Sequence, residues 1–402
     1  MQNDHSSVSP PSARVLVLDG EQRSALAATR SLVRAGFAIS VLADSPLAPA
    51  ALSRGATYVA RQHSSLAEPS AFAGEVATVA HRLRADVVLP TTDASVEAIL
   101  EHRALFEPGI RLPFGALETY RAAADKVRVN ALAVDAGIGI AETVLVPELS
   151  MGAPDVPELY PAAVKPHRSI VGGATRRRVG VQLVRDRAAC TAVLEALPPD
   201  AFPVMIQRRV RGPGVGYFAA RWNGRTIARF AHRRLREKPP SGGVSVLSES
   251  VALPDELRTR CDALLDSLGW EGAAMVECKE DLDRGGWRVM EINGRFWGSL
   301  QLAIDAGIDF PALLVRATLG ERLAAPDHWR VGARLRWEWG DIDHLLLRLR
   351  HSRERLGLDS RAPNRLGALL HFLQHVPGRD RLELFRWRDP LPFFGETLRR
   401  LL

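Results

Sequence analysis

With 402 residues the chain has material for two or three domains and for large buried cores. Hydrophobic residues at 46% and charged residues at 25% exclude general disorder and collagen-like or fibrous structure. Lys plus Arg at 53 against 46 Asp plus Glu leaves a formal charge of +7, too small an excess over this length to imply nucleic acid, and it fits an anionic small-molecule substrate. No apolar run reaches the roughly 20 residues of a membrane-spanning helix, and the polar residues 1–14 lack the apolar core of a signal peptide, so a cytoplasmic location is expected. Cys190, Cys261 and Cys278 are widely spaced and odd in number, which offers neither a disulfide framework nor a zinc knuckle; they read as buried thiols.

In chain order, residues 14–20 read as a buried strand, 23–35 as a helix ending at Gly36, and 37–44 as a second strand; 85–93 and 96–106 repeat strand then helix. That alternation predicts a parallel sheet with helices on its faces, a Rossmann-like first domain over 13–118. Its first turn carries one glycine where a dinucleotide phosphate fingerprint uses three, which speaks against NAD. From Tyr120 a helix containing Asp125 and Lys126 runs to Gly137, and a strand follows at 142–147. A Pro-rich stretch, 147–161, precedes a strand at 162–166 that carries Lys165. Residues 170–180 set Gly172, Gly173 and three arginines between short strands; such a loop can wrap amides around phosphate or be a solvated turn. A strand at 203–210, a strand pair around 222–225, a basic run 232–238 broken by Pro239-Pro240, and a helix at 255–268 complete this part. Past 330 the chain is Arg-rich and helical, and its basic amphipathic stretches fit a covering lobe or dimer face better than an anionic membrane.

Only four lysines occur, Lys126, Lys165, Lys238 and Lys279, in a chain that otherwise writes arginine. A compact ammonium does what a guanidinium fork cannot, so each is a candidate for function. The densest chemistry lies at 273–299. Two β-prone runs flank a connection ending in Gly285-Gly286, an antiparallel hairpin that would bring Glu277 and Glu291 together. Carboxylates within apolar strands are costly unless paired or bound to a metal. With Asn293 on the face of Glu291, they offer oxygen ligands suited to magnesium, and Arg295 could meet a phosphoryl group. Exposed amides at Gly242 and Gly243, with Arg233, Arg234 or Arg236 nearby, would suit a carboxylate or an acyl phosphate.

At MEINGRFWGS the chain resembles the ATP-grasp superfamily and its E-x-N-x-R strand, with a likeness in domain order over about residues 13–330. The resemblance implies an α/β plus α+β fold: a Rossmann-like lead domain (13–118), a two-lobed ATP-grasp domain (119–330) with a mobile lid lobe at about 143–212, and a mainly helical extension (331–402). It implies ATP and Mg2+ or Mn2+ as cofactors, with Glu277, Glu291 and Asn293 on the metal and Lys126 and Lys165 on the nucleotide. Gln207, Arg208 and Val210 would form the adenine hinge, and Gly172 and Gly173 the phosphate flap. Arg295, Lys165, Arg233 and Arg236 are the catalytic candidates. The implied reaction activates a substrate carboxylate as an acyl phosphate and joins it to an amine, releasing ADP and phosphate. A non-catalytic ATP sensor or a carboxylase-type enzyme are the alternatives. Small-molecule carboxylates and amines, and a second copy of the chain, are the expected partners.

Overall fold

The computed structural model describes residues 13–326, 328–358 and 362–402; the polar leader therefore lies outside the described residues. The first unit runs β1 (Arg14–Val17), α1 (Arg23–Arg34), β2 (Ala38–Ala43), β3 (Ala56–Ala60), α2 (Pro69–Leu83), β4 (Val87–Leu89) and α3 (Asp93–Glu101). Its four strands form a parallel sheet in the order β3-β2-β1-β4. The apolar strands of such a sheet need cover on both faces. On one face Phe72, Val76 and Ile99 supply it. On the other, α1 merges with a larger core that also holds Phe218, Phe230 and Trp297.

Next come α4 (Leu117–Ala124) and α5 (Lys126–Asp135). The single helix expected through Asp125-Lys126 is broken at Asp125. Its carboxylate accepts the amides of Val127 (2.9 Å) and Arg128 (3.1 Å), so Asp125 caps α5 and Lys126 becomes the first helical residue.

A small lobe follows: β5 (Thr143–Val146), β6 (Ala162–Pro166), β7 (Ile170–Gly172), β8 (Arg176–Arg178), β9 (Gln182–Val184), α6 (Arg187–Ala196) and β10 (Val204–Arg208). Four of these strands pair as β5-β10-β6-β9, backed by α6 through Cys190 and Leu194, while β7 and β8 form a separate hairpin. Then β11 (Gly214–Trp222), β12 (Arg225–Lys238), β13 (Val244–Ser250), α7 (Asp255–Ser267), β14 (Gly272–Glu280), β15 (Trp287–Asn293), α8 (Leu300–Ala306) and α9 (Phe310–Thr318) build the main body. The basic run 232–238 is the end of β12, and the loop begins only at Pro239.

The remaining elements are β16 (Arg334–Arg336), α10 (Glu338–Arg350), α11 (Arg365–Leu373), β17 (Asp380–Leu382) and α12 (Leu391–Leu401). Residues past 330 are not purely helical: β16 and β17 extend the main sheet, whose order is β15-β14-β11-β12-β13-β16-β17. This region also packs back on the first unit, where Arg30 donates to Asp389 at 2.7 Å and Arg399 to Asp44 at 2.9 Å. Cys190, Cys261 and Cys278 are all buried and free. No helix among the described residues is long and apolar enough to cross a membrane.

Candidate active site

A cleft of about 410 Å³ opens between the small lobe and the main sheet. Its floor is the β14–β15 hairpin. Antiparallel register sets Glu277 directly opposite Glu291 and Met275 opposite Asn293, with a bulge after Glu277. Period-two alternation then puts Met275 and Glu277 of one strand and Glu291 and Asn293 of the other on the cleft side. The Asn293 amide donates to Glu291 Oε1 at 3.1 Å, which fixes its own oxygen outward, where Arg295 donates to it at 3.2 Å.

Two lysines converge on this hairpin from different elements. Lys126, at the capped start of α5, donates to Ser169 Oγ at 2.9 Å and lies 3.6 Å from Glu291 Oε2. Lys165, central in β6, donates to Gln207 Oε1 at 2.6 Å from the neighbouring strand β10. Burial pushes Lys165 down to about 8, against the pull of Glu291 and with the help of Lys126. Burial alone would raise Glu291, but Lys126, the Asn293 hydrogen bond and Lys165 outweigh it and hold the carboxyl below its ordinary range. The site therefore keeps a half-buried carboxylate ionised by surrounding it with cations.

Gln207 also donates to Thr143 Oγ1 at 3.0 Å, and Gln207, Arg208 and Val210 all line the cleft. The Arg208 side chain is engaged elsewhere, pairing with Glu142 and Asp281, and its amide donates to Glu142 O at 2.9 Å. Arg295 lines the cleft but reaches across to the first unit, where its Nε donates to Asp93 Oδ2 at 2.9 Å. The sequence signal for Asp93 was absent, because the contact spans 202 residues.

Two of the expected arginines are elsewhere. Arg233 bonds Glu249 at 2.6 Å and Arg236 bonds Asp341 at 2.6 Å, and neither lines the cleft. In their place stands Arg234, which pairs with Glu277 and, at 3.0 Å, with Glu237. The reason is strand alternation: His232 and Arg234 face the cleft while Arg233 faces the other way, and a bulge between Arg234 and Arg236 turns Arg236 toward α10. Alternation along 232–238 was the available signal. His232 donates or accepts at Ser299 Oγ (2.8 Å), and burial pushes it down to about 3, so it is a neutral ring. Met290 and Trp297 also line the cleft and were missed, and Lys279, one of the four lysines marked by their rarity, lines it too.

Gly172 and Gly173 do not join this cleft. They line a second cavity beside Glu97 and Glu101 of α3. There Arg168 donates to Glu97 at 2.6 and 2.7 Å, and Arg176 pairs with Glu101.

The donor set fits a divalent cation. Glu277 and Glu291 face each other, Glu277 keeps one oxygen clear of Arg234, and Asn293 adds a third oxygen. Among the described residues there is no group of three His, Cys, Asp or Glu side chains for a metal, so the other positions would fall to phosphate and water oxygens, as magnesium prefers.

A family model described as "ATP-grasp in the biosynthetic pathway with Ter operon" matches residues 204–340. No curated protein matches the chain. Among solved structures, N5-carboxyaminoimidazole synthetase from Staphylococcus aureus shares 16% identity at a TM-score of 0.60, with 80% of each chain covered. The L-amino acid ligase from Bacillus licheniformis shares 16% at 0.57, covering 77% of this chain and 75% of that one. The biotin carboxylase domain of Hydrogenobacter thermophilus 2-oxoglutarate carboxylase, in complex with MgADP and bicarbonate, shares 15% at 0.59, covering 80% and 73%.

Proposed function

We propose that this ATP-grasp protein is an ATP-dependent ligase that activates a substrate carboxylate as an acyl phosphate and joins it to an amine, releasing ADP and phosphate. The observation that carries the reading is the meeting of four separate elements: Lys165, Glu277, Glu291 and Asn293 line one cleft, and Lys126 stands 3.6 Å from Glu291. The fold shared with an L-amino acid ligase and with a carboxylase domain bound to MgADP supports it.

The chain's own groups would divide the work by charge. Lys165 and Lys126 present ammonium groups to the phosphate tail, and the phosphates would draw Lys165 toward its protonated form. Glu277, Glu291 and Asn293 would hold magnesium, which when bound neutralises charge on the transferring phosphoryl group. Arg295, fixed by Asp93, keeps its fork pointed at the same region. Gln207, Arg208 and Val210 would flank the base, and Val181 and Leu183 of the small lobe give the cleft an apolar wall. Attack by the substrate carboxylate on the γ-phosphorus breaks its bond to the bridging oxygen, and ADP leaves. An amine then displaces phosphate from the acyl carbon and loses a proton. Positioning and electrostatics dominate such chemistry, so no nucleophilic side chain is required.

The test is ADP release by the full chain with Mg2+, ATP and pooled carboxylates and amines. ADP production that depends on one acid and rises with one amine is the expected result. Slow hydrolysis, indifferent to every acid in a broad panel, would overturn the ligase reading in favour of an ATP-binding sensor.

A further inference from the structure

Two cleft-lining arginines leave most of their side-chain donors without a partner among the described residues: Arg209, which bonds only Ser241 O and Gly357 O through its NH2, and Arg23. Arg208, Arg234 and Arg295 spend their donors on protein carboxylates and carbonyls. Arg23, the first residue of α1, makes a single hydrogen bond, from its NH1 to Glu383 Oε2 at 2.6 Å. Its Nε and NH2 have no hydrogen-bond partner among the described residues, and they are not sealed in the interior. The guanidinium is nonetheless held firmly: its carbon sits 4.1 Å from the centre of the Trp337 ring. Glu383 and Trp337 both belong to the segment past residue 330. Gly298 packs against the fork without a side chain: a Cβ there would lie 2.5 Å from Arg23 NH2. Gly298 lies three residues beyond Arg295, so the two arginines flank one short loop that ends at Ser299, beside the neutral His232.

We propose that Arg23 is the receptor for a carboxylate of the substrate beside the Gly298 loop of the cleft, and that Glu383 and Trp337 are positioning residues that hold its fork there. The proposal deepens the ligase reading and rests on it for the word substrate; the subsite itself rests on Arg23. A fork with one edge pinned and the other open matches a planar carboxylate in a bidentate pair. Phosphate is the other oxyanion such a fork accepts. In the ligase reading the phosphate tail already has Lys126 and Lys165, which leaves Arg23 for a different anion. It also gives the C-terminal segment a task, since without Glu383 and Trp337 nothing fixes a side chain with four rotatable bonds.

The experiment is thermal unfolding of the full chain with sodium acetate, succinate, benzoate, L-alanine or L-glutamate, with inorganic phosphate, and separately with MgADP. At least one carboxylate should raise the midpoint of the wild-type protein by about 1 °C or more at tens of millimolar. Arg23→Ala should weaken that carboxylate tenfold or more while keeping the MgADP response, and Arg23→Lys should restore only part of it. Glu383→Ala and Gly298→Ala should weaken the carboxylate response with the MgADP response intact, and Glu383→Gln, which retains an acceptor for Arg23, should rescue it. Any of three results overturns the proposal: no stabilising carboxylate, equal responses in wild type and Arg23→Ala, or stabilisation by phosphate alone. A carboxylate response that needs Arg23 in a protein indifferent to MgADP would keep the subsite and sink the ligase reading; the reverse pattern would do the opposite.

Discussion

Two hairpins carry residues that the sequence marks for phosphate, and they rest in different places. The β14–β15 hairpin is part of a seven-stranded sheet, and its register with β11 on one side leaves no freedom in which face Glu277 presents. The β7–β8 hairpin has three-residue strands paired only with each other, and its position is set by ion pairs of Arg168 and Arg176 with Glu97 and Glu101 on α3. A side chain inside a multi-stranded sheet is aimed by backbone pairing, whereas a two-stranded excursion is aimed by whichever charges it meets. The first kind of placement follows from local pattern, the second from contacts across about 70 residues.

The comparison can be broken most forcefully at the sheet hairpin. Glu291→Gln or Lys165→Met should lower turnover by about 10²-fold or more with the fold retained, since each removes a charge that stabilises the transferring phosphoryl group. Near-normal rates measured by ADP release would show that the hairpin does not face the chemistry.

A smaller effect is expected from pH. Nucleotide affinity should be steady below about 8 and fall as pH rises past it, because Lys165 then loses its proton. The same depressed value has a stability consequence. Between about 8 and the ordinary lysine value the unfolded chain binds a proton the folded chain has released, so this group's contribution to stability rises with pH across that window. Lys165→Met should remove both dependences, as read by MgADP titration and by denaturant midpoints at several pH values.

At the second hairpin the double variant Glu97→Gln with Glu101→Gln should change nucleotide affinity only severalfold, and should speed limited proteolysis within residues 171–180. A loss as large as that of Glu291→Gln would mean that docking on α3, and not the sheet, organises the site. Smallest should be Gly172→Ala. At φ +107, and with Thr175 O within 2.4 Å of an added Cβ, the turn must open, but the change stays within β7–β8. Turnover within a factor of about three alongside faster proteolysis is the expected outcome.

Much of this site was legible locally. The spacing of Glu277, Glu291 and Asn293 specified one face of one hairpin, and the rarity of lysine drew attention to Lys126 and Lys165. The fold of the first unit, with β1, α1 and β2 in alternation, was equally open to pattern. Arg233 and Arg236 were misplaced because composition reports that a run is basic, and only alternation and a bulge decide which member turns inward. The helix through Asp125 was read as continuous because its periodicity is; the cap that breaks it lies in a side-chain hydrogen bond.

By itself, then, the amino-acid order determined most of the strands and helices and which carboxylates of one hairpin share a face, because those depend on periodicities of two and 3.6 residues. Tertiary structure alone decided that Asp93 meets Arg295, that Glu97 and Glu101 hold the glycine hairpin, and that Glu383 and Trp337 clamp Arg23. Charges 71 to 360 residues apart have no common period, and their pairing is fixed only when buried sheets bring the elements together and a low-dielectric surrounding makes each unpaired charge costly.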